Sequence, residues 1–389
     1  MATHLAAAFP AKGEPLTLQT RPAPKPGPGE LLIQVKSVGL NPADVIMHDT
    51  GLLIPTYPAV TGFDVSGLVL AVGDDVPVGA ADDEGPGLLF RPGVTRVAAY
   101  AAFFWRSCNP DYGAFQEQCL VPWQHAVPLP ESISWSEAAT LAVAVAVPLN
   151  AWDVMGIPRL GASSTSVPTA STVSGGTSEG TQQNKTEKKE ALLVWGASSS
   201  VGTMGVQSAR LLREDEGSIF AAVYATAGAA NLKYVASLGA DRVFDYKEPQ
   251  VVDAIISAAR EDGLAIRHCF LATGQLVSCQ AVLGSFLGDG QGKEKQKAQI
   301  ASAPPIPQDA EGVDGVETIF VQPSNDERER LAQFRYWMGT WLRENLIKGA
   351  IRPSPEPRVV GEGLGAINAG LDRIQKGVSC TKLVVEVAK

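Results

Sequence analysis

Two kinds of hydrophobic pattern divide this chain. Up to about residue 130, short apolar stretches alternate with Gly/Pro punctuation. Leu31–Val38 is apolar and β-branched behind Pro22, Pro24, Pro26, Gly27, Pro28 and Gly29; Val65–Val72 alternates around Gly67 and stops at Gly73; Ala114–Val121 follows Gly113. Runs of this length between turn formers read as strands, and a series of them predicts a partly closed β-barrel. The pattern changes at Trp135. Ser134 and Glu137 have capping-box spacing, and the Ala/Leu/Val-rich stretch behind them, Ala138–Val154, reads as a buried helix. From Ala191 to about Val321, strands at Leu192–Trp195, Ile219–Tyr224, Arg242–Phe244, His268–Leu271, Ala298–Ala301 and Thr318–Val321 alternate with helical segments. The clearest of these are Val201–Leu212, Asn231–Leu238 and Val251–Arg260. That alternation predicts an α/β domain built on a doubly wound parallel sheet. After Asn325 an amphipathic helix runs through Phe334, Trp337, Met338 and Trp341, and Lys382–Val387 reads as a closing strand returning to the N-terminal domain.

Two stretches carry no such periodicity. Gly161–Glu190 is rich in Ser, Thr and Gly and then in Lys and Glu, which predicts a disordered surface insertion; Gly288–Lys297 is a shorter polar loop. The expected organisation is a barrel domain over 1–134, to which 350–389 returns, and a nucleotide-binding domain over 135–349 that carries the insertion 161–190. A length of 389 residues suits two domains.

Charge and cysteine content narrow the function classes. The formal net charge of −9 argues against a nucleic-acid or anionic-membrane partner, since neither would be attracted. No basic leader precedes a long apolar run, and the richest apolar stretch, Ala138–Val154, is interrupted by Pro148 and Asn150. Cys108, Cys119, Cys269, Cys279 and Cys380 are odd in number and form no C-x-x-C pair, which points to free thiols in a reducing cytoplasmic compartment.

The strongest chemical signal is the strand Leu192–Trp195 running into Gly196-Ala197-Ser198-Ser199-Ser200-Val201-Gly202 and then a helix. Small side chains let a pyrophosphate approach the backbone, and the N–H groups at the positive helix end stabilise its charge. Gly202 and Gly205 would let the helix pack close to the sheet. The strict G-x-G-x-x-G spacing is absent, so the weight rests on the surrounding strand–helix alternation; an ordinary β–α turn is the competing reading. A nucleophile elbow is a poor match, because Ser200 stands where G-x-S-x-G needs its second glycine. Of the histidines, His4, His48 and His125 fall in the barrel domain and His268 in a strand. The second strand ends Val223-Tyr224-Ala225-Thr226-Ala227 without the acid that would bind the ribose hydroxyls of NAD. NADP(H) is therefore the expected cofactor. Thr226, Asn231, Lys233 and Tyr234 are the candidate contacts, with an ordinary helix face as the alternative for the last three.

Further segments carry a family resemblance: Pro26–Glu30, Gly39-Leu40-Asn41-Pro42-Ala43-Asp44, Tyr57–Gly67, Tyr112–Glu117, Glu137–Leu141, Gly196–Gly202, Ser237–Asp241 with Asp245-Tyr246, and Lys382–Val385. Together they resemble the zinc-independent medium-chain dehydrogenase/reductases, the superfamily of quinone oxidoreductases and enoyl reductases. Among these the chain is similar to the fungal trans-acting enoyl reductases that serve polyketide synthases. The resemblance implies a GroES-like barrel domain, a Rossmann domain, and NADPH-dependent hydride transfer to the β-carbon of an α,β-unsaturated carbonyl or thioester on a carrier or small molecule. A polyketide synthase partner, a role in secondary metabolism, and a monomer or homodimer follow from the same likeness. Zinc-dependent relatives have a cysteine where this chain has Asn41 and read Gly-His-Glu where it has Gly62-Phe63-Asp64, so no metal is expected.

Asn41 is the candidate partner for the substrate oxygen and Thr140 the candidate near the nicotinamide; as a plain turn residue, Asn41 would simply precede Pro42. Asp44 reads as a helix cap in preference to a proton donor, Tyr57 and Tyr112 as proton donors or packed aromatics, and Lys382 as an exposed strand position in preference to a cofactor contact. Two departures stand out. Val45-Ile46-Met47 occupies the place where similar enoyl reductases carry a lysine, and Gly228 and Ala230 stand where they carry Ser and Lys. A quinone or enone reductase, and a catalytically quiet NADP(H)-binding protein, are the competing functions.

Overall fold

The computed structural model describes residues 2–78, 89–159, 188–287 and 297–387. The chain forms two units, one of Met1–Val147, Ser198–Met204 and Gln322–Lys389, the other of Pro148–Ala197 and Gly205–Val321. The expected insertion falls on 160–187, outside the described residues, except at its end. There Glu190 is no loop residue: it is buried and opens a strand. Burial pushes its carboxyl up, but hydrogen bonds from His268 (3.0 Å) and Arg267 (2.7 Å) outweigh this and hold it below the ordinary value. The polar loop 288–297 lies outside as well, apart from Lys297.

The N-terminal unit opens with an antiparallel pair, β1 (Thr3–Ala8) and β2 (Thr17–Pro22). Next come β3 (Glu30–Gly39), helix α1 (Pro42–Thr50), β4 (Asp64–Val72), β5 (Arg96–Tyr100), β6 (Gln118–Pro122) and β7 (Ala126–Pro128). The strand expected at Ala114–Val121 begins only at Gln118. Ahead of it the chain is pinned by single backbone bonds, Phe115 N–H to Thr61 and Ala7 N–H to Phe115, because Gly113 runs so close to Val60 that a Cβ would sit 2.4 Å from its carbonyl oxygen. Ser134 and Glu137 form the anticipated capping box at the short helix α2 (Trp135–Ala138), and α3 (Ala142–Val154) follows.

Six parallel strands build the second unit: β8 (Glu190–Trp195), β9 (Phe220–Ala227), β10 (Arg242–Asp245), β11 (Ala265–Leu271), β12 (Ala298–Ser302) and β13 (Val316–Phe320). Between them run α4 (Ser200–Glu214), α5 (Leu232–Ser237), α6 (Val251–Glu261) and α7 (Leu276–Gly284). The spatial order β10-β9-β8-β11-β12-β13 is that of a Rossmann sheet, which confirms the expected class. Every residue of β8 is buried, as a strand covered on both faces must be. Gly205 explains the tight helix packing, since a Cβ there would meet the Phe270 ring at 2.9 Å.

The tail then rejoins the first unit as α8 (Glu327–Phe334), α9 (Arg343–Ile347), β14 (Pro357–Glu362), α10 (Ile367–Gln375) and β15 (Lys382–Glu386), with β15 antiparallel to β3. The anticipated amphipathic helix is interrupted by a π-helical stretch, Arg335–Leu342, whose wider turn buries Trp337, Met338, Trp341 and Leu342 together. Beside it His125 stacks on Phe334 at 3.8 Å between ring centroids. Among the described residues no helix is long and apolar enough to cross a membrane.

Candidate functional site

The turn after β8 has the shape its small residues imply. Gly196 adopts φ +78°, and a Cβ there would lie 2.5 Å from the Thr273 carbonyl oxygen, so only glycine fits. Thr226 braces the turn from the end of β9: its hydroxyl accepts the Gly196 N–H at 3.0 Å and its carbonyl accepts the Ala197 N–H at 2.8 Å. Thr226 is thus buried beneath the turn, where it positions the loop. Ser199 caps α4 by accepting the Gly202 N–H at 3.1 Å, and its carbonyl accepts the Thr203 N–H at 2.8 Å. Ser200 Oγ is buried without a hydrogen-bond partner among the described residues. A small-residue turn, a helix N-terminus and an unsatisfied hydroxyl within Gly196–Gly202 fit a dinucleotide pyrophosphate.

Beyond β9 the chain passes Gly228 and enters α5. Asn231 and Tyr234 are partly buried there and Lys233 is exposed. No acid stands at the end of β9. The parallel neighbour brings two residues that sequence reasoning did not single out as contacts. Asp245 on β10 pairs in register with Ala227, so Tyr246 and Lys247 emerge beside Gly228. The Tyr246 ring lies 3.7 Å from where a Gly228 Cβ would stand, and the Lys247 ammonium lies 5.9 Å from the ring centroid. Strand order was the signal needed to find them.

A second polar group lies inside the N-terminal unit. The β3–β4 register sets Gly39 opposite Asp64, and β15 sets Val384 opposite the same Gly39. Antiparallel pairing therefore brings Asn41, Asp64 and Lys382 to one end of the sheet. Lys382 Nζ donates to Asn41 Oδ1 at 2.6 Å and to Asp64 Oδ2 at 2.8 Å; Asn41 Nδ2 donates to Asp64 Oδ2 at 3.0 Å. The exposed position expected for Lys382 is wrong: the residue is 3% exposed and Asp64 0%. Its strand lies against β3, and its alkyl chain passes over Gly39, where a Cβ would stand 3.0 Å from Lys382 Cε.

Two elements extend the network. Asp44 accepts the Asn41 N–H at 2.7 Å, a capping contact at the start of α1. Its other oxygen is buried without a partner among the described residues. Burial pushes the Asp44 carboxyl up to about 7, against the lowering pull of the Asn41 N–H and the Lys382 ammonium. Asp64 Oδ1 accepts the Val143 N–H of the first turn of α3 at 2.7 Å. Thr140, three residues earlier, is buried and donates its hydroxyl to Glu137 O at 2.7 Å. Asn41 is thus tied through Asp64 to the first turn of α3, whereas the Thr140 hydroxyl turns to Glu137.

The other candidates separate. Tyr112 donates to Glu30 Oε1 at 2.5 Å; burial and that carboxylate both push its hydroxyl pKa up, so it is a poor proton donor. Tyr57 Oη is buried without a partner among the described residues, next to Gly51 at the far end of α1 from Asn41. The residues at positions 41 and 64 do not suit zinc: one is a carboxamide, and the other is already neutralised by an ammonium.

Residues 27–131 match the model of the alcohol dehydrogenase GroES-like domain. Over 98% of both chains, the sequence is 37% identical to the trans-enoyl reductase tndF of Aspergillus flavipes. It is also 37% identical to the trans-enoyl reductase tazE of Aspergillus terreus, over 86% of this chain and 97% of that one. Among solved structures, the CurK enoyl reductase aligns over 99% of each chain with a TM-score of 0.67 at 18% identity. A mycobacterial protein solved in complex with NADPH aligns over 98% of this chain and 99% of its own with a TM-score of 0.63 at 20% identity. At such identities the two structures attest the fold.

Proposed function

Since the chain belongs to the medium-chain dehydrogenase/reductase superfamily, as a relative of the fungal trans-enoyl reductases, we propose that it is an NADPH-dependent enoyl reductase of secondary metabolism. Its substrate would be an α,β-unsaturated carbonyl or thioester, presented by a partner polyketide synthase. The observation that carries the redox reading is the turn Gly196–Gly202, with its braced glycine, capped helix and unsatisfied Ser200 hydroxyl.

The chain's own residues divide the work. Ser198, Ser199, Ser200, Val201 and Gly202 hold the pyrophosphate through the helix N-terminus, while Gly196, Ala197 and Thr226 fix the loop. Asn231, Lys233 and Tyr234, joined by Tyr246 and Lys247, offer donors to a 2′-phosphate; the missing acid after β9 favours that phosphate over a bare ribose. Bound NADPH supplies the hydride. As it reaches the β-carbon, the π electrons would move to the carbonyl oxygen, and a proton taken from solvent water would then add at the α-carbon as the carbonyl re-forms, giving the saturated product. Asn41 would stabilise that oxygen by hydrogen bonding, and Thr140 would be the residue that serves the nicotinamide.

Stopped-flow oxidation of NADPH against a panel of enoyl thioesters, simple enones and free quinones tests this reading. Rapid turnover of an enoyl thioester supports it. Turnover of quinones alone would make the protein a quinone reductase, and activity with NADH only would overturn the cofactor assignment. Binding of NADPH without turnover of any acceptor would mark a catalytically quiet protein.

A further inference from the structure

Val45-Ile46-Met47 supply no lysine directly after Asp44, yet the fold brings one to Asn41 and Asp64 from the far end of the chain. Lys382 lies 341 residues from Asn41 and 318 from Asp64, and β15 brings its ammonium to 2.6 and 2.8 Å from their oxygens. The chemistry of these partners fixes the orientation of the Asn41 side chain. An ammonium only donates, so Oδ1 must face Lys382; a carboxylate only accepts, so Nδ2 must face Asp64. The flipped amide would place a donor against the cation and an acceptor against the anion. One Nδ2 hydrogen is taken by Asp64 at 3.0 Å, whereas among the described residues the other has only Gly39 O, at 3.5 Å, the limit of a hydrogen bond.

We propose that Lys382 is a positioning residue: with Asp64 it clamps the Asn41 carboxamide so that the second Nδ2 hydrogen is kept for the carbonyl oxygen of the substrate. The inference rests on the enoyl-reductase reading. The cation acts in two ways. It holds Oδ1 in place, and it draws electron density along the amide, making Nδ2–H a stronger donor toward developing negative charge. Both effects grow as the oxygen becomes an enolate, so they bear on kcat more than on KM.

The test is a double-mutant cycle on the full-length protein, with NADPH and the enoyl thioester turned over fastest by the wild type. Asn41→Ala should lower kcat about 100-fold, as loss of an oxyanion donor does. Lys382→Met, which keeps the alkyl chain and removes the charge, should lower kcat about 10-fold or more with KM within about 2-fold. In the Asn41→Ala background, Lys382→Met should then change kcat less than about 3-fold, because its route of action is gone. A purely structural role predicts losses that multiply; that result, or an unchanged kcat in Lys382→Met alone, overturns the inference while leaving the enoyl-reductase reading intact. Should Lys382→Met fail to fold, Asp64→Asn/Lys382→Met removes both charges together and retains an acceptor for the Val143 N–H, and the same cycle is run on that pair. A wild type that turns over no enoyl thioester or enone overturns the parent reading and the inference with it.

Discussion

The Asp44 carboxyl should leave a measurable mark on how stability varies with pH. An unfolded chain releases this proton near 3.8, whereas the folded protein keeps it up to about 7, burial being the main cause and Asp64 adding to it. Between these values the native state binds more proton than the unfolded state. Asp44's contribution to stability is therefore complete below about pH 4, declines as pH rises, and is gone above about 7. Each unit of difference is worth about 1.4 kcal/mol, so a rise of roughly three units bounds the effect near 4 kcal/mol. His125 acts in the opposite sense. Burial drives its pKa from 6.5 down to about 3, so the folded state binds less proton, and stability is lost as pH falls through that window. The two slopes oppose each other between about pH 4 and 6.5, and wild-type data alone would conceal both.

Asp44→Asn removes one of them and keeps an oxygen for the Asn41 N–H. Urea unfolding between pH 4.5 and 8 can be followed by tryptophan fluorescence, because Trp105, Trp123, Trp135, Trp337 and Trp341 all lie in the unit that holds Asp44 and His125. Wild-type stability minus that of Asp44→Asn should fall as pH rises to 7 and then level off. The same difference for His125→Phe should rise toward pH 6.5. A difference for Asp44→Asn that is flat or increasing with pH would show that the carboxyl is ionised in the native state at pH 5, and would refute the burial argument.

Three further outcomes follow from close contacts. Gly196→Ala should weaken NADPH binding at least about 10-fold, since the left-handed backbone and the Thr273 carbonyl both reject a side chain; quenching of intrinsic fluorescence reads the affinity. Lys233→Ala should raise the NADPH Kd about 10-fold and leave that of NADH unchanged, as the loss of one charged contact to a phosphate requires; equal losses for both cofactors would remove Lys233 from the 2′-phosphate site. Gly39→Ala places a Cβ 2.2 Å from the Ala139 carbonyl oxygen and 3.0 Å from both Asp64 Cβ and Lys382 Cε, so it should lower stability by about 3 kcal/mol and reduce kcat as well, seen as a lower urea midpoint and slower turnover.

The parallel sheet was legible because its central strands, buried on both faces, appear in the sequence as continuous apolar runs ending in glycine, as Leu192–Trp195 does before Gly196. The braced turn was legible for the same reason: residues 196–202 are neighbours in sequence, and their roles are local. The cluster at Asn41 was only half visible. Its motif could be recognised, but Lys382 reads as a solvent-facing strand residue unless β15 is already known to lie against β3. Tyr246 and Lys247 required the knowledge that β10 borders β9. The π-helical stretch was hidden as well, because Phe334, Trp337, Met338 and Trp341 fit an ordinary amphipathic period, and only packing shows the widened turn. The strand expected from Ala114 fell short because hydrophobicity does not reveal that Gly113 is pressed against Val60.

The return of β15 to β3 also sets a timetable for synthesis. Residues 30–64 leave the ribosome early, carrying Asp64 and Asn41 toward a buried position, while their counter-charge and the strand that seals β3 are encoded more than 300 residues later. Until β15 arrives, Asp64 lacks its cation and Leu40, the residue after β3, lacks its backbone bond to Leu383. The parallel sheet between them is built from near neighbours in the chain and can close first, since short loops cost less entropy than one spanning most of the sequence. The N-terminal unit is thus begun before the parallel sheet and finished after it, and the Ser37–Gly39 edge of β3 stays open until β15 is made.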